Sequence, residues 1–174
     1  MTRFILPISL LALTLLVPTA QAEMSAQDAA QVARIRQAQL MTAMFDLRKS
    51  RLGFEETVAA IRLSAGKKGW RVGPTQDAQA DMARAGVKDA PRIKVIPTCP
   101  PETNQRLARI SQASGKPIPP LPCRITVLID KDGHVQVIKM NTAHLARAAK
   151  FDQLARVMGE IAAEEEAMLK GIVE

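Results

Sequence analysis

The chain has 174 residues, a hydrophobic content of 47% and a formal net charge of +7, which are compatible with one domain that has its own core. It contains no Tyr, one Trp and four Phe, and its basic residues are scattered rather than grouped. Proteins that bind nucleic acids combine clustered basic side chains with aromatic ones on which bases stack. The composition therefore argues against a nucleic-acid partner.

The first 22 residues predict an export signal. Arg3 gives a positive start, residues 4–17 are almost entirely apolar, and residues 20–22 have the Ala-Gln-Ala pattern of a signal peptidase site. The apolar run of about 14 residues is shorter than the roughly 20 that a membrane-spanning helix needs, so no stable membrane anchor is expected. We therefore expect a soluble mature protein that begins near Glu23 and is periplasmic or secreted.

The next segments predict a helical extension followed by the first elements of a domain. Residues 23–40 favour a weakly amphipathic N-terminal helix, and the domain proper is placed at 41–174. Apolar side chains alternate over 41–48, which predicts a first strand. Gly53 is expected to precede a helix with acidic residues in its first turn, where the positive end of the helix dipole favours them.

The middle of the chain predicts shorter elements. Short strands are expected at 70–72 and 92–98, with a small surface helix over 76–85 between them. Pro100-Pro101 can begin a helix over 102–113, because proline suits the first helical position. Residues 114–122 contain four prolines and predict a stiff loop.

The last third contains the clearest hairpin signal. Asp130-Lys131-Asp132-Gly133 separates two strand-like runs at 124–129 and 135–140. A short helix near 143–149 and a long helix over 151–172 are expected to follow. Without the three minor helices, the order is strand, helix, four strands, helix. This order predicts an α+β fold with one antiparallel sheet and two main helices on one face, plus the N-terminal helical extension.

Four segments resemble a known family when they are taken in this order. They are LGFEETVAAI at the first main helix, CPP after the third strand, LPCRITVLIDKDGHVQVIKMNT over the hairpin, and VMGEIAAEEEAML in the last helix. Together they resemble the family catalogued as domain of unknown function 302, over roughly residues 41–173. Members commonly have Cys-Asn-Pro where this chain has Cys99-Pro100-Pro101.

The resemblance implies a TATA-binding-protein-like fold with the order strand, helix, four strands, helix. It implies no nucleic-acid function, because one fold hosts unrelated activities. The family consists of uncharacterised bacterial proteins, so the resemblance adds to the expected fold and supplies no biochemical role.

The first candidate site is the cysteine pair Cys99 and Cys123. An even number of cysteines in an exported chain favours a disulfide, since that compartment is oxidising. Closing a loop of about 25 residues would stabilise the fold by roughly 3–4 kcal/mol in the chain-entropy model. The alternative is a working thiol pair or soft-metal site, in which Arg124 favours a thiolate. The residues alone leave both alternatives open.

Glu165 and His144 are further candidates. Glu165 interrupts an otherwise apolar stripe of the last helix, where a buried carboxylate would be a candidate functional acid. It also belongs to the run Glu164-Glu165-Glu166, and we expect this run to be solvated, with Glu165 reaching water. The two histidines and two cysteines lack the paired local spacings of structural zinc sites, so His144 is not expected to bind a metal.

Known catalytic motifs are absent from the sequence. There is no Gly-x-Ser-x-Gly, glycine-rich phosphate loop or His-Glu-x-x-His motif, which favours a non-enzymatic role without a cofactor. The first expected function is an accessory protein that handles thiols, sulfur species or a soft metal through Cys99 and Cys123. The second is a module that binds a small ligand or a protein, or self-assembles as a homodimer, and whose cysteines only brace the fold.

Overall fold

A computed structural model of the chain describes residues 25–174, and the predicted export signal at 1–22 lies outside them. The elements are, in chain order, α1 (Ala26–Met44), β1 (Phe45–Lys49), α2 (Phe54–Lys67), β2 (Arg71–Val72), β3 (Gln76–Asp77), α3 (Ala78–Arg84), β4 (Ile93–Cys99), α4 (Thr103–Ser114), β5 (Arg124–Ile129), β6 (Val135–Met140), α5 (Thr142–Ala148) and α6 (Asp152–Leu169). Within the described residues, no helix combines the length and the apolar character needed to cross a bilayer.

The strands form one antiparallel sheet. Its order is β1-β6-β5-β4-β2, and β3 pairs with β4 at a different part of the same edge. The β5–β6 hairpin lies near the centre and aligns Val127 with Val137. Gly133 closes its turn at a φ of 82°, a backbone conformation that glycine adopts readily because it lacks a Cβ. The predicted α+β class is thus confirmed.

Helices α2 and α6 cover one face of the sheet and enclose the main core. Alternate residues of the central strands point toward them, so that Ile96, Val127 and Val137 are almost completely buried. The helices complete this core with Phe54, Val58, Ile61, Ala65, Met168 and Leu169. Two main helices on one face were expected, and this arrangement is confirmed.

A second core lies beyond the sheet, where α4 and α5 pack on the first half of α6. Leu107 and Ile110 of α4 contact a cluster with Met158 and Ile161 of α6. We expected α4 and α5 to be minor helices. They instead bury the N-terminal half of the α6 apolar stripe, because only its C-terminal residues belong to the main core and the first half needs another partner.

The first strand begins later than predicted. Helix α1 continues to Met44, and the Phe45 N–H still donates to the Met41 carbonyl at its end. Alternation over 41–44 favoured a strand, but methionine and alanine are strong helix formers and the helix continues through them. A smaller difference occurs at residues 76–77, where a helix was predicted and the structure has strand β3. These residues pair with β4, and the Asp77 side chain caps α3 by accepting from the Ala80 N–H.

Candidate functional site

Cys99 and Cys123 are joined in a disulfide, with their Cα atoms 4.9 Å apart. Cys99 is the last residue of β4, Cys123 lies one residue before β5, and these two strands are antiparallel neighbours. The Thr98 N–H donates to the Cys123 carbonyl at 3.1 Å and extends the ladder to this point. The disulfide was one of the two alternatives that the sequence left open.

The disulfide fixes one end of the proline-rich segment, which we define as residues 116–122. Two polar side chains of α4 fix the rest. The Leu121 N–H donates to Asn104 Oδ1 at 2.8 Å, and the Asn104 side chain donates back to the Leu121 carbonyl. Ser111 Oγ donates to the Lys116 carbonyl at 2.8 Å and accepts from the Ile118 N–H. The segment is therefore held at three points.

An apolar groove of about 460 Å³ lies between this segment and helices α5 and α6. Its floor is the outer layer of the second core, with Leu145, Phe151 and Leu154 only partly covered. The described residues that line it are Lys116, Ile118, Pro119, Pro120, Leu121, Pro122, Met140, Leu145, Ala148, Ala149, Lys150, Phe151, Leu154 and Met158. They include two lysines and no carboxylate.

Both lysines lie beside Phe151. Lys150 precedes it in the chain, and the Lys116 ammonium lies 5.4 Å from the centroid of its ring. A cation at that distance is attracted by the electron-rich face of the ring. The groove is therefore positively charged near Phe151 and apolar elsewhere.

A charge cluster joins β6 to the C-terminal half of α6. Lys139 Nζ is 3.2 Å from Asp46 Oδ2 and 3.1 Å from Glu165 Oε2, and only 4% of the Lys139 side chain is exposed. The Thr142 hydroxyl donates to Glu165 Oε2 at 2.6 Å. One ammonium thus serves two carboxylates, and the cluster has a net charge of −1 when both are ionised.

The expectation that Glu165 reaches water is wrong. Its side chain is 12% exposed, because this face of α6 packs against α5 and the Lys139 side chain of β6 reaches its carboxylate. Glu166, by contrast, is exposed and pairs with Arg48 at 2.7 Å. Burial raises the pKa of the Glu165 carboxyl above its ordinary value of 4.5, and the Lys139 charge and the Thr142 hydrogen bond offset part of that rise.

Glu165 also lines a small, largely enclosed cavity of about 10 Å³ beside the disulfide. Cys123 and Thr98 line the same cavity, and Arg124 flanks it. Thr98 is 6% exposed, and its hydroxyl has no hydrogen-bond partner among the described residues. Three of the candidate residues from the sequence, Cys123, Arg124 and Glu165, therefore meet at one place.

His144 has a structural position at the start of α5, where its N–H donates to Asn141 Oδ1 at 3.0 Å. With both sulfurs in the disulfide, there is no thiolate with which it could share a metal. A second cluster, Asp130, Asp132 and His134, brings its ligand atoms within 4.8 Å of one another. Asp130 Oδ1 accepts the N–H groups of Asp132 and His134, so the hairpin turn explains this cluster.

Sequence reasoning missed Lys139, Asp46 and Thr98. A signal for Lys139 was present, because the period of two places it on the same face of β6 as the buried Val137. Asp46 lies opposite Lys139 in the β1–β6 register, which no local pattern specifies. The groove was also missed, since its walls come from segments far apart in sequence.

The chain belongs to the family described as Domain of unknown function DUF302, whose model matches residues 47–174. A similar solved structure is the crystal structure of an uncharacterized conserved DUF302 protein from Bacillus stearothermophilus. The two share 16% sequence identity with a TM-score of 0.58, over 72% of this chain and 95% of that chain. At this identity the likeness shows the fold alone. No curated protein matches the sequence significantly. The resemblance noted in the sequence is confirmed.

Proposed function

We propose that the protein is an exported, non-catalytic binding protein whose groove takes a small apolar ligand with an anionic end. The observation that carries this proposal is the apolar groove between the proline-rich segment and helices α5 and α6. Its volume lies within the range of about 300–1,000 Å³ that is typical of small-molecule sites with mostly apolar walls. The ligand would be met in the periplasm or outside the cell.

The charge pattern supports an anionic end on the ligand. Lys116 and Lys150 both lie beside Phe151, and no carboxylate is among the described lining residues. A carboxylate, sulfonate or phosphate placed there would gain from both ammonium groups. The apolar remainder of the ligand would displace water from Leu145 and Leu154, where hydrophobic burial contributes roughly 25 cal/mol per Å².

The disulfide supports the same proposal as a brace for one wall. Cys123 follows the proline-rich segment directly, and the prolines reduce the freedom that the wall would lose on binding. A wall that is already ordered lowers the entropic cost of taking up a ligand. In this function the cysteines have a structural role and do no chemistry.

A fluorescence titration with 1-anilinonaphthalene-8-sulfonate tests the proposal. We expect saturable binding of one probe per chain, weakened about tenfold or more in Ala148→Trp, whose indole would fill the groove. Ala113→Trp is the matched control, because Ala113 is exposed on α4 and lies outside the groove. Equal binding by both variants, or no saturable binding to the wild type, would disprove the groove as a site.

An uncharged analogue of the probe, N-phenyl-1-naphthylamine, tests the anionic end separately. The double variant Lys116→Gln, Lys150→Gln should weaken binding of the sulfonate while leaving the neutral probe unchanged. If both probes respond equally, the lysines act through packing, and the charge part of the proposal fails.

Thiol handling is the second candidate function. Both cysteines are partly exposed, and Cys99 lines an open surface pocket together with Arg71 and Asn104. A disulfide that a small thiolate can reach is able to undergo exchange. Intact mass of the mature protein, purified without reductant and compared before and after alkylation, tests this function. A native protein that carries a sulfur adduct, or that alkylates after brief exposure to a small thiol without unfolding, supports it, and a disulfide that a small thiol reduces only after unfolding refutes it.

A further inference from the structure

The small cavity beside the disulfide has the size and the polar lining that one bound water molecule needs. Its volume of about 10 Å³ is close to the minimum that one water molecule needs. The Thr98 hydroxyl is buried and without a partner among the described residues, which is costly unless a ligand satisfies it. A water there could bond to Thr98 on one side and to the Glu165 carboxyl on the other.

We propose, building on thiol exchange as the function, that this cavity holds one water through which Glu165 exchanges a proton with Cys123 when a small thiol opens the disulfide. Cys99 lines the open surface pocket, and Cys123 lines the enclosed cavity. The incoming thiolate therefore attacks Cys99, and Cys123 is the leaving group that needs a proton. Glu165 acts on Cys123 through the water and touches no substrate.

The chemistry balances in two steps. A thiolate RS⁻ attacks the Cys99 sulfur, an RS–S bond to Cys99 forms, and the electron pair of the Cys99–Cys123 bond leaves on Cys123. Glu165 gives its proton through the water to that thiolate and becomes a carboxylate. A second RS⁻ then attacks the mixed disulfide, releasing RSSR and the Cys99 thiolate, which takes a proton from solvent. Two thiols are oxidised and one protein disulfide is reduced.

The charges around Glu165 favour such a role. Lys139 approaches from β6, Asp46 from β1 and Arg124 from β5, and the Thr142 hydroxyl donates from α5. Because Lys139 also pairs with Asp46, it keeps a partner when Glu165 takes up a proton, and the cluster of two carboxylates and one ammonium then becomes neutral. Burial favours that neutral form, which matches the raised pKa of the carboxyl.

The test measures reduction of the native protein by dithiothreitol between pH 5 and 8, with the rate divided by the thiolate fraction of the reductant. In the wild type this corrected rate should fall as pH rises through the titration of Glu165. In Glu165→Gln it should be independent of pH and lower than the wild type at the acidic end. Glu164→Gln, the same change at the preceding position of α6, should behave as the wild type.

Thr98→Val provides a second variant that keeps the shape of the side chain and removes its hydroxyl. It should reduce the pH dependence of the corrected rate, and it keeps the test decisive if Glu165→Gln fails to fold. A disulfide that no thiol reduces in the native wild type overturns thiol exchange and the proton path together. A disulfide that is reduced with the same pH profile in wild type, Glu165→Gln and Thr98→Val overturns the proton path alone.

Discussion

Lys139 is the cation that the Asp46 and Glu165 carboxylates share. It lies on the buried face of β6, and its ammonium is within 3.2 Å of both the Asp46 and the Glu165 carboxylates. Charges taken out of water require partners, because the loss of hydration costs several kcal/mol per ion. Each carboxylate would lose its cation without Lys139, whereas Lys139 would keep one partner without Glu165.

This asymmetry leads to a prediction about stability. Lys139→Met should destabilise the fold by roughly 3 kcal/mol, since it leaves the largely buried Glu165 carboxylate and the partly exposed Asp46 carboxylate without a cation. Glu165→Gln should cost clearly less, because Lys139 keeps Asp46 and the amide can still accept from Thr142. Denaturant unfolding at neutral pH measures both. Equal losses for the two variants would contradict the assignment of Lys139 as the shared cation.

The raised pKa of Glu165 leads to a prediction about pH. The folded protein holds this proton to a higher pH than the unfolded chain, whose carboxyl titrates near 4.5. The stabilisation that Glu165 contributes is therefore complete below that value and is lost as pH rises through the folded pKa. The free energy of unfolding of the wild type, relative to Glu165→Gln, should fall as pH rises above 4.5. A difference that rises over this range would contradict the raised pKa.

At the scale of elements, the proline-rich segment and α6 create the groove together. Helix α6 buries its C-terminal half against the sheet and its N-terminal half against α4, which leaves Phe151 and Leu154 partly covered. The segment is held opposite them by Asn104, Ser111 and the disulfide. The groove is a gap between two independently fixed walls, so its width depends on those anchors.

Removing the disulfide should therefore affect stability and binding together. The double variant Cys99→Ser, Cys123→Ser should lose about 3–4 kcal/mol of stability, the chain-entropy value for a loop of this length. Its affinity for the sulfonate probe should also fall, because one anchor of the wall is gone. Thermal unfolding and the fluorescence titration measure the two effects. Unchanged probe affinity in a folded double variant would show that Asn104 and Ser111 suffice to hold the wall.

At the scale of the whole molecule, the outer side of β1 is an exposed apolar surface. β1 is an edge strand, and Leu47 is 59% exposed beside Phe45 and Ile138. Met41 of α1 borders the same surface, and α1 has no buried residue. Among the described residues this apolar surface is uncovered and lies next to a sheet edge, which is typical of an interface, and a homodimer, one of the assemblies left open by the sequence, would cover it.

Self-association provides the test of that surface. Leu47→Glu should lower the molar mass measured by light scattering from that of a dimer to that of a monomer, because a buried charge would oppose the contact. Leu63→Glu is the matched control, since Leu63 on α2 is 60% exposed and lies away from β1. A wild type that is monomeric at all accessible concentrations would refute the homodimer, and a loss of mass in the control alone would place the interface elsewhere.

Local patterns in the sequence were enough for most elements of the fold. The β5–β6 hairpin has the predicted bounds, since the turn at 130–133 and the alternation beside it are local signals. The start of β1 was wrong because residues 41–44 suit a helix and a strand almost equally, and the helical hydrogen bonds prevailed. The order of elements and the family resemblance were therefore enough to predict the α+β class.

The candidate site depended on tertiary structure to a greater extent. The sequence by itself placed Cys99 at the end of one strand and Cys123 at the start of another, and showed that Glu165 interrupts an apolar stripe. Only the packing of α6 on β6 decided that Glu165 is buried beside Lys139, because a carboxylate in a charged run can face either way until the helix is docked. Contacts between residues far apart in the chain, such as those that form the groove, arise from that docking and leave no local pattern to read.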